Sequence, residues 1–288
     1  MKKERVETTL LNKMKKRILV TATMSAGKST LVNALVGNKI MATRNESCTA
    51  KRFTIIEDPN TKNQVIFEYK NIRMKFQKNI ATVMHEVKCD DLKLRTRMFH
   101  REDSYLWEII DTPGVNSSAD PDHKQVSESL IRSNDFDILL YVMNGNHLGT
   151  NDDLMHLRYI KEHVDDDKII FVINKVDQYR KSQDSIPESY RKTKHHLKEL
   201  GFANPRIQPI SAYAAFLMKQ ELLNKEFNEE EEEELQLFKR KFKREHYDLS
   251  HYQEWSKEVF TSQDQELLKR CGILGLEELI VRKEVEHG

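Results

Sequence analysis

The stretch Arg17-Ile18-Leu19-Val20-Thr21-Ala22-Thr23-Met24-Ser25-Ala26-Gly27-Lys28-Ser29-Thr30-Leu31-Val32-Asn33-Ala34-Leu35-Val36 decides the fold. Its first five residues form an apolar strand, and 29–36 carry a helical apolar pattern. The turn between them, Ala22 to Thr30, follows the phosphate-loop spacing with alanine at the first glycine position. A strand, a turn containing Gly27 and a helix are the setting in which consecutive backbone N–H groups and a helix N-terminus can surround phosphate oxygens. Ser25, Ala26, Gly27, Lys28, Ser29 and Thr30 are therefore the candidate phosphate-binding residues. Lys28 adds a cation for the β and γ phosphates. Ser29 supplies a hydroxyl for Mg²⁺, a hard ion that prefers oxygen and takes few protein ligands.

Further apolar runs at 53–57, 65–69, 105–110, 137–142, 168–173 and 207–210 read as strands, with helical stretches between the later ones. This alternation predicts an α/β fold with a doubly wound, mostly parallel sheet. Two regions interrupt it. Residues 71–103 are basic and of mixed periodicity, and read as a hairpin plus a helix. Residues 213–270 contain the acidic run 229–234, the basic run 238–244 and an aromatic stretch through Trp255, and read as a helical insertion before the last helix. Runs of this kind most often form a solvated helix face. The expected organisation is an N-terminal helix in 1–16, a main domain in 17–212 and 271–288, and the insertion 213–270.

The other chemistry-bearing motifs follow predicted strands, at the end where open α/β sheets bind ligands. Asp111-Thr112-Pro113-Gly114 comes after 105–110. Asp111 can hold Mg²⁺ through water, and Gly114 can bring its N–H close to a terminal phosphate. Asn174-Lys175-Val176-Asp177 follows 168–173. A carboxylate at Asp177 accepts from the N1–H and exocyclic amine of guanine, a pattern that adenine does not offer. Asn174 braces neighbouring loops, and the Lys175 stem covers one face of the base. Ser211 and Ala212 follow the last strand and fit a loop whose N–H approaches the guanine oxygen. Between the phosphate loop and Asp111, Thr49 is the candidate γ-phosphate sensor and second Mg²⁺ hydroxyl, with Thr43, Ser47 and Thr54 as competitors. The residues thus point to GTP and GDP as ligands and Mg²⁺ as cofactor. Lys28, Ser29, Thr49 and Gly114 are the candidates for stabilising the transition state of γ-phosphate hydrolysis.

Composition narrows the remaining classes. Charged residues make up 32% of the chain, yet 47 basic and 46 acidic side chains leave a formal charge of +1, so no global field favours nucleic acid or an acidic membrane. A ribosome-associated GTPase using basic residues of 71–101 or 238–244 is one alternative reading, and it has only local patches to draw on. Cys48, Cys89 and Cys271 lack metal-ligand or redox spacing and read as reduced structural thiols. There is neither an N-terminal apolar run of the ~7–15 residues typical of a signal peptide nor one of the ~18–20 needed to cross a bilayer. The expectation is a cytoplasmic protein that could lie peripherally on a membrane.

Taken in order, the GKST loop, a switch threonine, DTPG, NKVD and SA resemble the translation-factor-related GTPases. The run 25–37, Cys48-Thr49-Ala50 and Leu148-Gly149-Thr150-Asn151-Asp152-Asp153 are more narrowly similar to the GTPase domain of bacterial dynamin-like proteins. This resemblance covers about 17–211 and the last helix. It implies GTP hydrolysis stimulated when two GTPase domains meet, homodimerisation through that domain, and coupling to membrane remodelling or tethering. At Met24 the chain departs from dynamin, which has a phosphate-loop glutamine there that helps arrange the hydrolytic machinery. A thioether cannot do so. The alternative is a weakly hydrolysing GTP-dependent scaffold that recruits a protein partner.

Overall fold

In the computed structural model the chain is described over residues 13–23, 25–41, 52–61, 64–69, 72–76, 91–99, 105–112, 121–252 and 263–282. These residues build one nine-stranded sheet: β1 (Met14–Ala22), β2 (Arg52–Glu57), β3 (Val65–Tyr69), β4 (Ile72–Phe76), β5 (Asp91–Thr96), β6 (Tyr105–Asp111), β7 (Ile138–Asn144), β8 (Ile169–Asn174) and β9 (Arg206–Pro209). Their order across the sheet is β4-β3-β5-β2-β6-β1-β7-β8-β9. Strands β6, β1, β7, β8 and β9 run parallel. All residues of β7 and β8 are buried, as strands covered on both faces require. The sheet is mixed but mostly parallel, with β2 antiparallel to β6.

The helices are α1 (Lys28–Val36), α2 (Pro121–Ser133), α3 (Asn151–His163), α4 (Ile186–Glu199), α5 (Ala212–Leu222), α6 (Glu229–Phe242), α7 (Gln263–Arg270) and α8 (Ile273–Val281). None among the described residues is long and apolar enough to cross a membrane. The parallel order reverses at β1, which lies between β6 and β7, and α1 leaves from its C-terminal end. A crevice at such a switch point is where doubly wound folds bind ligands.

Three boundaries differ from the sequence reading. Strand β1 begins at Met14 rather than Arg17, because 14–16 extend the parallel ladder along Tyr105, Leu106 and Trp107; the rest of the expected N-terminal helix lies outside the described residues. Within 71–103 the expected hairpin is replaced by single strands: β4 folds back antiparallel on β3, which lies before that region, and the helix expected there falls outside the described residues. A further strand, β5, joins β2 to β3. Its Leu92 and Leu94 are buried while Lys93 is exposed, a period of two that the basic residues obscured in the sequence.

The region expected as an insertion begins inside the domain core. Residues Ala214 to Gln220 of α5 are buried, and α5 packs on α1. The Lys219 ammonium reaches Glu277 Oε1 at 2.6 Å and the Phe99 carbonyl at 2.7 Å, while Gln220 donates to the Gly37 carbonyl at 2.7 Å. Helix α6 is amphipathic, burying Leu235, Phe238 and Phe242. Asn228 and Glu231 form a capping box at its start, and its acidic first turn and basic last turn oppose the helix dipole. Cys271 is buried, which pushes its thiol up to about 12 and keeps it unreactive. Cys48 and Cys89 lie outside the described residues.

Candidate nucleotide site

The phosphate half of the site starts where β1 ends. Ser25 and Gly27 both adopt left-handed backbone conformations, with φ of 59° and 85°, and α1 begins at Lys28. Glycine at 27 is needed for a second reason. A Cβ there would lie 2.4 Å from Asn174 Nδ2. That close approach exists because Asn174, at the end of β8, donates to the Ala26 carbonyl at 2.9 Å. Lys28 Nζ meets Asp111 Oδ1 at 2.5 Å, bringing the candidate phosphate cation and the candidate Mg²⁺ carboxylate together. Asp111 sits at the end of β6, and Thr112 beyond it donates its N–H to Val20 of β1 at 3.2 Å. Burial raises the Asp111 carboxyl above its ordinary range, while Lys28 pulls the other way.

Asp111 and the Ser29 hydroxyl in the first turn of α1 suit Mg²⁺, which keeps several waters and draws other ligands from phosphate oxygens. No group of three or more His, Cys, Asp or Glu side chains arranged to hold a metal occurs among the described residues. This donor set is too sparse for an all-protein metal cage. Thr30 follows in α1, and Ala26 is buried beneath the loop. Met24, Thr43, Ser47, Thr49 and Gly114 lie outside the described residues. Thr54 is a buried ladder residue of β2 opposite Ile110, not a loop residue.

The base half is assembled from β8 and β9. Lys175 is left-handed, with φ of 67°, and turns the chain into a single helical turn, Val176–Gln178. Asp177 Oδ1 accepts from the Ser211 hydroxyl at 2.6 Å. Burial raises the Asp177 carboxyl, opposed first by that hydrogen bond. Asn174 Oδ1 accepts from the Ala212 N–H at 3.0 Å, so one asparagine joins the phosphate loop to the last base loop. The Ser211 and Ala212 N–H groups, expected to approach a guanine oxygen, have protein acceptors in this structure. They are engaged by the Cys271 carbonyl, at 3.0 Å, and by Asn174.

Two supports were not foreseen. Asn144 ends β7 in register with Asn174 and donates to the Ser25 carbonyl at 3.4 Å. An asparagine closing each of two apolar strands was the available signal. Behind the loop, Asp153 accepts from Thr23 at 2.7 Å and from Tyr141 and Thr150 at 3.0 Å. Thr21 Oγ1 meets His156 Nε2 at 3.0 Å. Of the fragment 148–153, seen in the sequence only as a family likeness, the buried Asp153 is the residue that backs the phosphate loop, through Thr23.

A phosphate loop at the switch point, an aspartate on the adjacent strand and an Asn-Lys-x-Asp turn on β8 define a P-loop GTPase. Residues 18–176, more than half of the chain, match the model of the dynamin family. The chain belongs to that family, whose GTPase domains hydrolyse GTP. Among solved structures it is similar to two of an oligomerised bacterial dynamin pair described as providing a mechanism for long-range sensing and tethering of membranes. Identity is 19% in both, with TM-scores of 0.53 and 0.52; the match covers 82% of this chain and 39% of those chains. The chain therefore spans about two fifths of the length of these relatives. It is also similar to Toc33 from Arabidopsis thaliana with GDP and Mg²⁺, at 11% identity and a TM-score of 0.45, covering 72% of this chain and 74% of that one. No curated protein sequence matches.

Proposed function

We propose that this chain is a Mg²⁺-dependent GTP hydrolase of the dynamin kind, in which two GTPase domains meet to reach full turnover. The observation that carries it is Asn174, which ties the loop holding Lys28 to the loop after β9, while Asp177 stands three residues away to read the base. In this reading Asp177 accepts from guanine. Lys28 and the loop N–H groups hold the phosphates, and Ser29, Thr49 and Asp111 would hold Mg²⁺, which would neutralise charge on the phosphate oxygens. Water attacks the γ-phosphate in line without a covalent intermediate, and catalysis is positioning plus charge stabilisation, to which the Gly114 N–H contributes. Among the described residues no side chain stands out as a general base, and the thioether of Met24 cannot replace the polar side chain that dynamin has at that position. Both features fit a domain whose catalytic surface is completed by a second copy. A cytoplasmic protein meeting a membrane peripherally, to remodel or tether it, is the matching setting.

Met24 also supports a second reading, a GTP-loaded scaffold that barely hydrolyses and recruits a protein partner. GTP turnover measured against protein concentration, with and without liposomes, separates the two. The dynamin reading expects the rate per molecule to climb with concentration. A rate that stays slow at every concentration and ignores lipid would sink it.

A further inference from the structure

The turn carrying Asp177 is short. Only Gln178 N to Lys175 O, at 3.0 Å, and Tyr179 N to Val176 O, at 3.2 Å, close it from within. The carbonyls of Asp177 and Tyr179 are left over by these bonds, and both are taken by residues more than sixty positions further along the chain. Lys241, in the last turn of α6, donates its ammonium to the Asp177 carbonyl. Tyr247 donates its hydroxyl to the Tyr179 carbonyl at 2.9 Å. The two donors also touch each other, since Lys241 Nζ lies 4.5 Å from the centre of the Tyr247 ring.

Helix α6 is held against the other base loop as well. Tyr213, two residues after Ser211, donates to Glu234 at 2.6 Å, and its ring meets Phe238 edge-on. Lys239 pairs with Glu221 at 2.5 Å. A single helix thus braces the turn bearing Asp177 and the helix that starts at Ser211-Ala212.

Resting on the guanine-reading role proposed for Asp177, we infer that Lys241, seconded by Tyr247, is a positioning residue for base specificity: α6 clamps the base turn and fixes the direction of the Asp177 carboxylate. The ammonium does this in two ways. Its hydrogen bond sets the peptide plane that follows Asp177. Its charge, near the carboxylate, also favours the ionised acceptor against the burial that opposes it. The basic run 238–244 then has a specific task beyond covering a solvated face, and displacement of α6 would speed nucleotide release.

The test compares GTP with inosine triphosphate, which lacks the exocyclic amine, and measures release of a fluorescent GDP analogue from the full chain. Lys241→Met should speed release about tenfold and shrink the preference for GTP over inosine triphosphate several-fold, as expected for losing one charge-assisted hydrogen bond. Lys241→Arg should restore most of both, and Tyr247→Phe should move both in the same direction by about threefold, the scale of one neutral hydrogen bond. Lys239→Ala loosens α6 without touching the base turn, so it should lower the melting temperature and leave the preference intact. Wild-type release and preference in Lys241→Met and Tyr247→Phe would overturn the inference. So would an equal change of preference in Lys239→Ala, which would mean that helix packing alone matters. Asp177→Asn, read by a gain in xanthosine triphosphate binding, tests the underlying assignment separately. If it switches while Lys241→Met leaves the preference unchanged, only the clamp fails.

Discussion

The two halves of the nucleotide cleft are built by different means. At the base end, direction is set by side chains: Ser211 on Asp177, and Asn174 on Ala212. At the phosphate end it is set by backbone conformation, in the left-handed Ser25 and Gly27 and the helix start at Lys28. There the side-chain hydrogen bonds hold the loop from outside its curve, at the Ser25 and Ala26 carbonyls from Asn144 and Asn174 and behind it among Thr21, Thr23, Asp153 and His156. The difference follows from the ligands. A purine edge is read by one carboxylate that must point a single way, whereas a phosphate is met by many N–H groups converging from one curved segment. Asn174 is the seam, and Gly27 is glycine because the seam passes so close.

The largest expected effect separates the halves directly. Lys28→Ala removes the proposed phosphate cation and leaves buried Asp111 without its partner. It should weaken GTP and GDP by about 4 kcal/mol, on the order of a thousandfold, in equilibrium binding. The preference for guanine over adenine should survive in the binding that remains. A lost preference would mean that the two halves are one coupled unit.

A smaller effect tests the residues behind the phosphate loop. Asp153→Ala takes the shared acceptor from the Thr23, Tyr141 and Thr150 hydroxyls, of which Tyr141 is fully buried. It should cost about 3 kcal/mol of stability in urea unfolding, as removal of a buried, charged acceptor does. An unchanged midpoint would show that the network is ornamental to the fold.

The smallest is a pH dependence. Burial pushes the His156 imidazole down to about 4 from its ordinary 6.5; Asp153 opposes the shift and Lys124 assists it. A depressed histidine is neutral in the folded chain and protonated in the unfolded chain between these values. Its contribution is therefore whole above 6.5 and lost as pH falls toward 4. Between pH 7 and 5 the loss should be about 2 kcal/mol, read as a drop in urea midpoint that His156→Gln flattens. An equally steep drop in His156→Gln would assign the dependence to other groups.

Much of this site could be read from consecutive residues. The strand, Gly27 turn and helix of 17–36 state their own conformation, and Asp111, Asn174 and Asp177 each follow an apolar strand that places them at the ligand-binding end. Strand β5 was hidden because its exposed face is basic and its apolar positions are only Leu92 and Leu94. Helix α5 looked like the start of an excursion because its neighbour in sequence, α6, is so heavily charged; its burial depends on α1 and on Glu277 of α8.

By itself, then, the sequence determined the phosphate loop, the Asn-Lys-x-Asp turn and the alternation that makes the sheet, since each rests on local backbone preference or on periodicity over a few residues. The tertiary structure alone decided which side chains hold those pieces in place. Asn174 meets Ala26 across 148 positions, Thr23 meets Asp153 across 130, and Lys241 meets Asp177 across 64. No local pattern specifies such pairs. They exist because adjacent parallel strands deliver distant segments to one end of a sheet, where buried polar groups must find partners.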